Sequence, residues 1–163
     1  MKNLSSSLSY DYYWRDYTGE IPGDAIEGGR DVNNKVTYIG QVFVKNHGLI
    51  PVTIYPGKTS VAAAIHGVHN FNNHIKILCS SSKQNFKWVP ADAKTLHAKM
   101  IKKHLVRGGV EHDLISNIGR ISYQGEVIVS KVCGYKVGDA KLYFPAGNKE
   151  TNVESYEVLM YDN

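Results

Sequence analysis

Apolar and polar positions along this chain change places every few residues, and the runs are short. "KVTYIGQVFVK" (35–45), "LIPVTIY" (49–55), "SVAAAIHG" (60–67), "HIKILC" (74–79), "DLISNIGRISY" (113–123), "EVIVSKVCGY" (126–135), "AKLYFPAG" (140–147) and "SYEVLMY" (155–161) are rich in β-branched and aromatic residues. Between them lie turn-formers such as "VNN", "NHG", "YPGK", "NFNN", "YQG" and "GNKETN". Runs of this kind cut by Gly, Asn and Pro predict strands. Many of them in succession predict an all-β fold, a sandwich or a closed sheet. Helical spacing is confined to 91–106, where Leu96, Met100, Ile101 and Leu105 recur at mixed intervals. That is a poor amphipathic face, so little helix is expected.

The pattern also repeats. "EGGRDVNNKVTYIGQ" (27–41) returns as "RGGVEHDLISNIGRI" (107–121). Gly28-Gly29 corresponds to Gly108-Gly109, Asp31 to Glu111, Ile39-Gly40 to Ile118-Gly119 and His66-Gly67 to Ala146-Gly147. The offset moves only from 74 (Trp14 to Trp88) to 81 (Ile77 to Val158). Landmarks in step predict two copies. An N-terminal extension covers 1–13, a first copy 14–84 and a second 86–162. The polar connector "CSSSKQNFKW" between them is too short to be a free linker. Copies of this size are expected to share a core rather than fold alone.

Composition narrows the classes of function. The chain is 42% hydrophobic and 21% charged, as in ordinary globular proteins. No window approaches the roughly 18 consecutive apolar residues of a membrane helix. The start, "MKNLSSSLSYDYYWRD", lacks the apolar centre of a secretory signal, so a cytosolic protein is expected, with vesicle association or unconventional export as the alternative. Cys79 and Cys133 are too few for a disulfide scaffold and read as small buried hydrophobes. The net charge of +4 is concentrated in "AKTLHAKMIKKHLVRGG" (93–109). That stretch has no interleaved aromatics for stacking on bases, which argues against nucleic acid. It leaves a solvated face, or weak association with an anionic membrane.

The repeated unit has a distinctive order: Trp, a Gly/Pro turn, Ala-Ile, Gly-Gly, an acid, an Ile-Gly strand, a Gly-Lys and a closing Tyr-Glu-Val-Leu. It is carried by "GEIPGDAIEGGRD", "TYIGQ" and "YPGKT" in the first copy, and by "KWVPA", "RGGVEHD", "NIGRI", "VSKV" and "YEVL" in the second. In this the chain resembles the DM-nine repeat family of small invertebrate proteins, also found beside pore-forming modules in natterin-like proteins. The resemblance implies a compact, intertwined β fold and a metal-independent, mannose-recognising lectin that forms homodimers. Some members are infection-responsive, so a role in innate immunity is implied too. The sugar-holding residues it implies are Asp31 and Lys58 in the first copy, with Glu111 and Lys131 as their counterparts in the second. The sequence departs from the family at Gln41, where arginine is usual, at Ser130, where glycine is usual, and at "LHAKMIKKHLV".

The chemistry of these residue types suits a hexose. A carboxylate accepts two hydrogen bonds from vicinal hydroxyls and an ammonium donates to hydroxyl oxygens. One shallow site of this kind binds on the order of millimolar, and duplication or dimerisation raises avidity by about 10²-fold or more. Against this stands a plainer reading, in which Asp31 is a turn acid capping "VNN" and Lys58 a solvated turn lysine. A protein-interaction module with degenerate sugar sites is the corresponding alternative function. Catalysis is not expected. There is no Gly-x-Ser-x-Gly elbow, and Gly-Gly-Arg-Asp is not followed by Gly-Lys-Ser/Thr. No cofactor and no metal are expected either: His66, His69 and His74 are close in sequence, but their spacing does not force convergence.

Overall fold

The computed structural model describes residues 9–162. The described residues form fifteen strands: β1 Tyr13–Asp16, β2 Glu27–Arg30, β3 Val36–Val44, β4 Gly48–Ile54, β5 Val61–Ala64, β6 Val68–Phe71, β7 Ile75–Cys79, β8 Phe86–Asp92, β9 His104–Leu105, β10 Arg107–Glu111, β11 Leu114–Tyr123, β12 Glu126–Cys133, β13 Lys141–Ala146, β14 Lys149–Val153 and β15 Ser155–Tyr161. The fold is all-β. Each of the eight runs predicted from the pattern contains a strand. The stretch with helical spacing supplies only one turn, α1 Leu96–Lys99, which buries Leu96.

Six strands close into a ring. β2 pairs with β3, β3 with β4, β4 with β10, β10 with β11, β11 with β12, and β12 returns to β2. All these pairings are antiparallel. Two of them join the halves, and they are equivalent: Arg30 stands opposite Val127, and Val110 opposite Leu49. Each half therefore lends its Gly-Gly strand to the other half's sheet. β7 and β1 extend from β3, while β15 and β8 extend from β11. Gly40 opposite Ile77 and Gly119 opposite Val158 mark the same branch point in each half.

The repeated Gly-Gly is explained by this exchange. A Cβ on Gly29 would lie 1.9 Å from the Val127 carbonyl oxygen, and one on Gly109 would lie 2.0 Å from that of Leu49. Only glycine lets the borrowed strand lie so close to its host. The Arg120 side chain reaches back over the same junction, donating from Nη1 to the Gly28 carbonyl at 2.8 Å. Gln41 holds the matching position in the first half and donates from Nε2 to the Gly108 carbonyl at 2.8 Å. The glutamine that departs from the family pattern thus keeps the inter-half bond while shedding the charge.

The hydrophobic interior has three parts. Val42, Ile50, Val52, Ile54 and Ile77 fill the first half, and Val132, Leu142, Phe144, Tyr156 and Val158 fill the second. A third cluster belongs to both: Ile26, Ile39 and Leu78 meet Val106, Ile118, Val129, Leu159 and Tyr161, flanked by Trp14 and Trp88. Burial of this apolar surface stabilises the fold at about 25 cal/mol per Å², and the shared cluster couples the two halves.

Candidate functional site

Glu111 ends β10, where the chain turns through His112 (φ +49°) and Asp113 (φ +66°) into β11. A two-residue turn with both residues left-handed matches the twist of the flanking strands. Lys131 lies inside β12, opposite Ile118 on β11 and Tyr143 on β13. The two side chains meet in an ion pair, Nζ to Oε1 at 2.8 Å. Only 4% of the lysine side chain and 15% of the glutamate side chain are exposed. This pair uses one of the lysine's three donors and one carboxylate oxygen, leaving donors and an acceptor for a ligand.

A cavity of about 250 Å³ opens over the pair, lined further by Cys133, Tyr135, Lys136, Asp139, Tyr143 and Glu150. This is a little below the roughly 300–1,000 Å³ of typical small-molecule pockets. Tyr135 and Tyr143 supply aromatic surface of the kind that covers the C–H face of a sugar. Burial, with a hydrogen bond to Cys133, raises the Tyr135 phenol above its usual range, so the hydroxyl stays neutral. Burial also pushes up the Cys133 thiol, and Cys79 to about 11. Both remain thiols near neutral pH, whereas the nucleophile is the thiolate.

The first half is built differently. Thr53, not Lys58, occupies the place of Lys131: Ile39 faces Thr53 across β3 and β4, as Ile118 faces Lys131 across β11 and β12. The Thr53 hydroxyl is already engaged, donating to the Val129 carbonyl at 2.8 Å and accepting from the Val129 N–H at 2.9 Å. Lys58 lies beyond the end of β4 in an exposed loop, its Nζ 5.2 Å from the centre of the Tyr55 ring. Asp31 accepts the N–H groups of Asn33 and Lys35, both at 2.9 Å, and so closes its own turn. The expected correspondence of Lys58 with Lys131 is therefore corrected. "PGK" looks like "VSK" in sequence, but strand register decides equivalence, and it puts threonine there. Asp31 and Lys58 form no ion pair with each other, whereas Glu111 and Lys131 do.

Sequence reasoning did not single out Tyr135, Tyr143 or Glu150. Their signal was weak, because they reach the cavity from β13, β14 and the loop after β12. Glu150 also ties the halves together: its Oε2 accepts the Gly67 N–H at 3.0 Å. A wider hollow of about 470 Å³ lies at the strand exchange, among Gly28, Gly29, Trp88, Arg120 and Glu157. Its main cation is already committed, since Arg120 holds Glu157 at 3.0 Å and stacks 4.4 Å from the Trp88 ring centre.

The duplicated ring, the exchanged Gly-Gly strands and the acid-lysine pair fit one family. The profile of the DM9 repeat matches residues 31–134, more than half of the chain, and the chain belongs to that family. Among solved structures it is similar to the nematode sperm cell motility protein MFP2B, with a TM-score of 0.61 and 13% identity. The match covers 93% of this chain and 46% of that one, so this chain spans less than half the length of its neighbour. At that identity the likeness is one of fold. No curated protein sequence matches the chain.

Proposed function

We propose that this protein is a non-catalytic, mannose-preferring lectin whose one competent site is the cavity over Glu111 and Lys131. The observation that carries this reading is the buried ion pair, open to a cavity flanked by two tyrosines. An ammonium and a carboxylate held 2.8 Å apart offer matched donors and acceptors to adjacent hydroxyls. With Thr53 in place of lysine, the first half has no equivalent pair, so avidity comes from a homodimer rather than from two sites in one chain. A cytosolic role in recognising microbial glycans accords with the infection-responsive members of the family.

Calorimetric titration with mannose and with a branched mannan tests the proposal. Glu111→Gln keeps an acceptor for Lys131 and removes the negative charge, so it is expected to fold and lose most of the binding heat. Equal and negligible heats for wild type and Glu111→Gln would sink the lectin reading.

A second reading, a protein-interaction module, is favoured by the first half, where Asp31 and Thr53 are spent on the fold itself. It predicts a dimer in sedimentation that no sugar stabilises against heat. Attachment to membranes through 93–107 is the weakest reading, and liposome flotation at low and high salt separates it from the others.

A further inference from the structure

We propose that His47, His66 and His112 form a transition-metal site, suited to Zn²⁺, that clips the two halves together. Three hairpin tips converge here. His47 lies in the β3–β4 turn, His66 in the β5–β6 turn and His112 in the β10–β11 turn. One ring nitrogen from each lies within 4.8 Å of the other two. The convergence is produced by the exchange of strands: Glu111 pairs with Gly48, and the His112 N–H bonds the His47 carbonyl at 3.1 Å. Of His66, His69 and His74, which are close in sequence and from which no metal site was expected, only His66 takes part.

The donor set decides the class of metal. Three imidazoles with no carboxylate among them suit Zn²⁺, Cu²⁺ or Ni²⁺ and not Ca²⁺ or Mg²⁺. Tetrahedral zinc with Zn–N of about 2.0–2.1 Å places its ligand atoms roughly 3.4 Å apart. The cluster must therefore tighten by at most about 1.4 Å. His66 and His112 are exposed and can swing, while His47 is half-buried and anchors the group. A second observation points the same way: Nδ1 of His47 is buried and has no hydrogen-bond partner. Buried polar atoms are rarely left so, and coordination through that nitrogen would give it a partner. Three protein ligands leave the fourth position to water.

The site is distinct from the sugar cavity but adjoins it through the backbone. His112 follows Glu111, and Gly67, which follows His66, donates to Glu150. A bound metal would hold both cavity carboxylates in place. It does not depend on the lectin reading, since the histidines stand whether or not the cavity takes a sugar.

The test is a titration of the full chain, freed of any polyhistidine tag, with ZnCl₂ by calorimetry and with Co²⁺ by visible absorption. The expected result is one Zn²⁺ per chain, a rise in melting temperature, and the intense visible bands of tetrahedral Co²⁺. His66→Asn and His112→Asn keep residues that tolerate positive φ, so both should fold. Each is expected to weaken zinc at least about tenfold, by analogy with the 10–100-fold losses on mutating even outer-shell partners. His97→Gln, which lies outside the cluster with its Nε2 2.9 Å from the Gly134 carbonyl, should leave affinity unchanged. Absence of saturable zinc binding by the wild type, or wild-type zinc affinity in both His66→Asn and His112→Asn, would overturn the proposal. Mannose titration of His112→Asn, read separately, keeps a failure of the lectin reading distinct from a failure of this one.

Discussion

Removing Glu111 and removing Lys131 should not cost the same. Lys131 is the deeper partner, with 4% of its side chain exposed against 15% for Glu111. Glu111→Leu strands an ammonium inside β12, where water reaches it poorly. Breaking a buried pair in this way typically costs about 3–5 kcal/mol. At roughly 2–4 °C per kcal/mol for a chain of this size, the melting temperature should fall by about 6–20 °C. Lys131→Met strands a carboxylate nearer the surface, which can partly rehydrate, so its cost should be nearer about 1–3 kcal/mol. The double variant removes both charges and fills the space with apolar atoms. It should recover most of the loss, and exchanges of this kind are often neutral or stabilising by about 1–4 kcal/mol. Urea unfolding of all four proteins, followed by tryptophan fluorescence, completes the cycle and isolates the coupling. The reasoning is refuted if Glu111→Leu unfolds at the wild-type midpoint, or if Lys131→Met proves the more damaging of the two.

Two further outcomes follow from the geometry. Gly29→Ala forces a Cβ to 1.9 Å from the Val127 carbonyl, whereas Gly23→Ala meets nothing within 4 Å. The first should lose about 3 kcal/mol or more, because backbone rather than a flexible side chain is in the way, and thermal melts should show the second unchanged. Acid should loosen the packing of the N-terminal tyrosines on His104, whose ring stacks on Tyr10 and bonds the Tyr12 hydroxyl at 2.6 Å. Burial, aided by the Arg107 charge, lowers the His104 pKa, so the folded state prefers the neutral ring. Its contribution is complete above the unfolded value of about 6.5 and is lost as pH falls through the lowered folded value. Urea midpoints on either side of that range should therefore fall more for wild type than for His104→Gln.

The strands that the sequence announced are those with enough apolar side chains of their own to bury. β3, β4, β11 and β12 carry β-branched runs that read as strands anywhere. β2 and β10 were not legible as strands, because "EGGR" and "RGGVE" have almost nothing to bury. They are strands because the other half offers an edge, which is a long-range fact. The same distinction runs through the site. Glu111 could be named from the repeat, where it matches Asp31, but Lys131 came only through the family resemblance. Lys58 could not be excluded that way, because strand register, fixed by cross-strand hydrogen bonds, separated it from Lys131 and set Thr53 in its place.

The amino-acid order alone determined that the chain is β-rich, that it is duplicated, and where its glycines must fall. These are local properties: side-chain shape, turn chemistry and periodicity act within a few residues of the backbone. Which lysine meets which acid was decided by strand register, and which three of seven histidines gather at the hairpin tips was decided only when the halves exchanged strands. That exchange joins groups more than 60 residues apart, from His47 to His112, and no local signal records it.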